Sequence, residues 1–157
     1  MSRRRGRVGV VARIALALLL GGCLDGLTPE VGPPLRASCV DEDSDPTVDV
    51  DFERDVRVAI FGGATGHCVT CHTPGGATPI GIAVGGLDLS SHTTLLAGGV
   101  QAGADIVIPG QPCASALVGK IGAAPPFGAR MPIDGPPHLG AAEIQVIADW
   151  IAEGARP

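Results

Sequence analysis

Cys68-Val69-Thr70-Cys71-His72 is the stretch on which the reading of this 157-residue chain turns. Two thiols separated by two residues lie on one turn of chain, and a histidine follows directly. This spacing lets both sulfurs add to the two vinyl groups along one haem edge and brings the imidazole beneath the iron, the pattern of c-type haem attachment. The C-x-x-C core has other readings: a dithiol redox pair, or half of a zinc site that Cys39 and Cys113 complete. The terminal His72 favours one covalent haem c, with Cys68 and Cys71 as attachment points and His72 as an iron ligand.

Composition leaves room for such a group. The chain has 24 glycines, 14 prolines and no tyrosine, and its only large aromatic side chains are Phe52, Phe61, Phe127 and Trp150. Aromatic rings supply much of the buried area in a small core, and thin cores usually need a staple. A large flat apolar cofactor would serve as one.

The amino terminus reads as an address. Residues 1–22 hold five of the eleven basic residues, all within the first thirteen positions, followed by an apolar run from Ile14 to Leu20. That run is far short of the roughly 20 residues needed to span a bilayer, so it reads as a secretory signal. Leu20-Gly21-Gly22-Cys23 resembles a bacterial lipobox, which implies cleavage before Cys23 and lipid attachment to it, placing the protein on a bacterial membrane at its periplasmic or cell-surface side. Arg3-Arg4 hints at a twin-arginine signal, but haem is attached after export, and an arginine-rich leader explains the same residues. Without residues 1–22, six basic and sixteen acidic residues remain, a net charge of -10. A nucleic-acid footprint is excluded on that balance, and basic partner surfaces are expected. Residues 23–51 are acidic and rich in Pro and Gly, as a flexible spacer would be. Cys39 and Cys113 are left over in an oxidising compartment and are expected to form a disulfide.

The domain is expected to span residues 52–157 and to be all-α, with long Gly/Pro-rich loops. A first helix is expected from Asp51 to Phe61, with Asp51 as cap and Gly62-Gly63 as stop. Residues 73–87 read as irregular loop. Ser90 or Ser91 caps a short helix through Leu96, ended by Gly98-Gly99. Ile106 to Ile108 reads as extended, Cys113 to Ile121 as a short helix, and residues 122–139 as a second loop. In the last helix Ile144, Ile147, Ala148 and Ile151 follow i, i+3, i+4, i+7, with Gly140 and Glu143 at its start. Met131, the one methionine outside the leader, sits in Arg130-Met131-Pro132 on that second loop and is the candidate sixth iron ligand. His67, His92 and His138 compete for the role. Arg130 is either solvated or paired with a haem propionate.

The order of C-x-x-C-H, Leu87 to Leu89, Ile108-Pro109-Gly110, Ser115 to Leu117, Arg130-Met131-Pro132 and Asp149-Trp150-Ile151 resembles the small class I cytochrome c-like domains of bacterial secreted proteins and lipoproteins. The resemblance covers about residues 52–156. It implies a helical fold in which first and last helices cross, Trp150 and Ile151 packing near Val56 and Ile60. It implies axial ligands His72 and Met131, and one-electron transfer between redox proteins by a monomer or a subunit of a redox complex. The alternatives are a haem subunit of a larger dehydrogenase or oxidase complex, and a haem ligand sensor or peroxidase.

Overall fold

The computed structural model describes residues 39–157. The leader, Cys23 and the spacer up to residue 38 lie outside the described residues. All regular structure among the described residues is helical: α1 (Phe52–Phe61), α2 (Val69–His72), α3 (Ile80–Gly85), α4 (His92–Ala97), a 3₁₀ turn (Gly103–Ile106), α5 (Ala116–Ile121) and α6 (Ala141–Ala152). None of these helices is long and apolar enough to cross a membrane.

The first helix is where expected, but it is wound as a π-helix. Asp51 caps it, its side chain accepting from Arg54 N–H at 2.7 Å, and the Gly62 N–H closes it on the Arg57 carbonyl, five residues back. The apolar pattern accounts for the wide winding. Phe52 and Phe61 are nine residues apart, so at about 100° per residue an α-helix would put them on opposite sides. The wider turn brings Phe52, Val56, Ile60 and Phe61 to one buried face. Each side chain so buried contributes about 1.5–3 kcal/mol.

That face packs against α6. Trp150 and Ile151 are fully buried in one core with Val56 and Ile60. The Trp150 ring lies 5.2 Å from Phe52, and its indole N–H donates to the Arg156 carbonyl at 2.7 Å. His92, at the start of α4, meets Phe52 edge-on at 5.3 Å and bonds through Nε2 to the Ala155 carbonyl at 2.7 Å. It ties the two ends of the domain together. At the start of α6, Glu143 accepts from the Gly140 N–H at 2.8 Å.

Three expectations change. Within 73–87 the chain forms α3, bounded by Pro79 and by Gly86 at φ +65°. A proline that opens and a glycine that closes are a helix signature, and both stand in the sequence. Ile106 belongs to the 3₁₀ turn, and Val107 after it is extended. Finally, α5 starts at Ala116 rather than Cys113. Cys113 is bonded elsewhere, its N–H to Asp41 at 2.8 Å and its sulfur to Cys39.

Residues 39–50, assigned above to the spacer, are fastened to the helical body. Asp149, buried on α6, accepts from the Ser44 N–H at 2.9 Å and the Ser44 hydroxyl at 2.7 Å. The Glu153 carboxylate accepts from the Val50 N–H at 3.0 Å. The Cys39–Cys113 disulfide spans 74 residues of sequence with Cα atoms 5.5 Å apart. Closing a loop of that length stabilises by roughly 4 kcal/mol in the chain-entropy treatment. Replacing both cysteines by alanine is therefore expected to lower the urea-unfolding free energy by roughly 3–5 kcal/mol. A loss below about 1 kcal/mol would show that the carboxylate contacts alone hold the segment.

Candidate functional site

The helix α2 is a single turn. Cys68 stands at its start, Cys71 lies within it and His72 ends it. The His72 N–H closes the turn on the Cys68 carbonyl at 2.9 Å, and Thr73 Oγ1 donates to the Val69 carbonyl at 2.7 Å. Cys68, Cys71 and His72 line one wall of a cavity of about 400 Å³, within the usual range for small-molecule sites. Met131 lines the same cavity. Its other walls are core side chains, among them Phe61, Leu89, Ile106, Leu117 and Ile121.

The His72 ring is fixed from two sides. Nδ1 lies 3.1 Å from the Leu87 carbonyl. A carbonyl only accepts, so Nδ1 carries the proton and Nε2 has a free lone pair. This is how metal-binding histidines are usually oriented. On the other side the ring lies against Gly81, where a Cβ would come within 2.5–2.7 Å of three ring atoms. The Leu89 N–H also bonds the His72 carbonyl at 2.7 Å, so residues 87–89 hold both the ring and its backbone.

The thiols discriminate among the readings. Cys68 and Cys71 are free. Burial pushes the Cys68 thiol up to about 11. A redox C-x-x-C depends on a depressed thiol, so this environment disfavours a redox pair. The zinc reading needs four cysteines at one place, whereas Cys39 and Cys113 are bonded to each other. No group of three or more His, Cys, Asp or Glu side chains among the described residues could hold a metal ion. A covalent haem fits the donors that are present: two thiols, one imidazole with a free Nε2, one thioether, and apolar walls. Ile80, Val84 and Ile133 also line the cavity yet stand 60%, 76% and 67% exposed. Apolar side chains gathered at a cavity mouth are what a bound apolar group would cover.

Of the three competing histidines, His92 and His138 are off the cavity wall and His67 is on it. His92 belongs to the aromatic cluster and is not part of the cavity wall. His138 is not on that wall either; its Nδ1 is buried without a hydrogen-bond partner, and its ring presses against Gly135. His67 does line the cavity, but its Nε2 lies 3.0 Å from both Asp134 oxygens. The His67 backbone is in the left-handed region at φ +31°, which is uncommon outside glycine. The Asp134 bond, then the Ala64 carbonyl, raise the His67 imidazole above its ordinary value, and the same pairing lowers Asp134. The tie is complete between about pH 3.9 and 6.5, the ordinary carboxylate and imidazole values. It weakens as pH rises through the raised His67 value or falls through the depressed Asp134 value. Both side chains are substantially exposed, so it is a modest tie between the two rims of the cavity.

Sequence reading missed Gly81, the Leu87 carbonyl and Lys120. Lys120 had a visible signal, being the chain's only lysine among ten arginines. It lines the cavity and is only 9% exposed. Burial lowers its ammonium below the ordinary range. Arg130 is partly exposed; its Nε donates to the Ile121 carbonyl at 2.9 Å and its Nη2 to the Leu139 carbonyl at 3.3 Å.

A second depression, lined by Val48, Arg54, Ala59, Glu143 and Val146 among others, contains none of the candidate residues. No protein-family model, curated protein or solved structure matches this chain.

The methyl group of Gly81→Ala would occupy space held by the His72 ring, so the ring must move off the Leu87 carbonyl. Loss of one such bond with local strain is expected to destabilise the protein by about 1–3 kcal/mol. The His72 Nδ1 proton, followed by NMR, should lose its hydrogen-bonded shift. An unchanged imidazole signal would show that the ring is not held there.

Proposed function

We propose that the chain is a c-type cytochrome with a class I cytochrome c-like domain, carrying single electrons through one haem c. One observation carries this reading: Cys68, Cys71, His72 and Met131 all line a single apolar cavity. A haem held there supplies one-electron exchange between ferric and ferrous iron. Cys68 and Cys71 would hold it by thioether bonds. His72 would present Nε2 to the iron, its ring direction set by Leu87 and Gly81. Met131 would supply a thioether as the second protein ligand. A His/Met pair raises the reduction potential relative to two histidines and leaves no open position for substrate, which favours carriage of electrons over catalysis.

Donor and acceptor would be redox proteins. The negative net charge draws basic partners over distance, while the cavity mouth itself is edged by Ile80, Val84 and Ile133. Lipid on Cys23 would tether the domain to a bacterial membrane, at its periplasmic or cell-surface side. Within the spacer, Ser44 and Val50 are hydrogen-bonded to the end of the domain, at Asp149 and Glu153.

The test is an absorption spectrum of protein made in cells with haem-attachment machinery. The oxidised form should show the weak sulfur-to-iron band in the red. Met131→Ala should lose that band and let the reduced form bind carbon monoxide. Wild-type protein without haem absorbance, or wild-type protein that binds carbon monoxide readily, sinks the reading.

A further inference from the structure

The loop that carries Met131 has little regular structure of its own. Residues 122–140 contain no helix, so something else must fix the thioether. Lys120, on α5, contacts this loop at four points. Its backbone carbonyl accepts from the Met131 N–H at 2.8 Å. Its ammonium donates to the Phe127 carbonyl at 2.8 Å and to the Ala129 carbonyl. The same ammonium lies 4.9 Å from the centre of the Phe127 ring. Between those carbonyls Gly128 adopts φ +54°, and a Cβ there would lie 3.6 Å from Nζ. The chain curls around the ammonium.

We propose that Lys120 is the positioning residue for the sixth ligand, its ammonium acting as the post around which residues 127–131 are wound. This rests on the reading of Met131 as an iron ligand. A buried cation is costly, and an apolar residue of similar length in its place is often neutral or stabilising. No carboxylate among the described residues pairs with it. Both of its hydrogen bonds go to carbonyls of the methionine loop, and the ring it faces is that loop's Phe127, so the charge serves the loop's geometry. Arg130 continues the same scheme, binding the Ile121 and Leu139 carbonyls on either side of the loop.

The experiment compares wild-type holoprotein with Lys120→Met, which keeps the length and removes the donors. The variant should remain folded with haem attached. Its oxidised form should lose or weaken the red sulfur-to-iron band, its reduction potential should fall, and its reduced form should take up carbon monoxide. The Met131 amide should exchange faster by about tenfold or more, the equivalent of one hydrogen bond to a charged group. Lys120→Cys, alkylated with 2-bromoethylamine in denaturant and refolded, restores the ammonium on a near-isosteric stem. It should regain the band and the slow exchange, and this arm decides the matter should Lys120→Met fold poorly. If Lys120→Met keeps the band, the potential and the exchange rate, Lys120 only fills space. The proposal also falls if the alkylated variant stays unrestored. Loss of the band in wild type itself would instead remove Met131 as ligand, which separates the two failures.

Discussion

The bond from His72 Nδ1 to the Leu87 carbonyl is the constraint on which the rest of the site depends. It sets the tautomer, and with Gly81 at its side it sets the ring plane. The two cysteines follow, because α2 is a single turn and His72 is its last residue. The segment after α3 must then run past α2 so that Leu87 and Leu89 reach His72, and Gly86 at φ +65° turns it there. Short helices suffice at the cavity, where α2 delivers Cys71 and His72, α3 delivers Ile80, Gly81 and Val84, and α5 delivers Leu117, Lys120 and Ile121.

The carboxylates do different work from the one that net charge suggests. Asp41, Asp149 and Glu153 accept backbone N–H bonds that fix residues 39–50 and the disulfide loop to the domain. Glu53 and Asp55 pair with Arg57 and Arg54 on α1. Among the described residues Asp134 is the one acidic residue on the cavity wall, and it is engaged by His67. The exposed surface nearest the cavity is largely aliphatic, with Ile80, Val84 and Ile133 at it.

Much of this was legible in the sequence. Caps with a side-chain signature can be read off it: Asp51 opens α1, Ser91 opens α4, and Glu143 closes back on Gly140. The turn from Cys68 to His72 was legible because the proposed haem chemistry requires residues close together in sequence. The winding of α1 was not, since Phe61 looks like the end of an α-helix until Phe52 must share its face. The short helix α3 was hidden by surrounding glycines, although Pro79 and Gly86 marked its ends. The posts that hold Met131 were illegible for a physical reason. Lys120 and Arg130 act on backbone carbonyls, and carbonyls carry no residue identity. Only the fold shows which carbonyls converge on one ammonium.

The central claim is that one haem is bound covalently through Cys68 and Cys71. Mass analysis of the peptide spanning residues 66–73, taken from protein matured with haem-attachment machinery, tests it most directly. The expected result is a single haem on that peptide, with neither cysteine open to alkylation after reduction. A peptide of unmodified mass, or one whose two cysteines both alkylate after reduction, would contradict it.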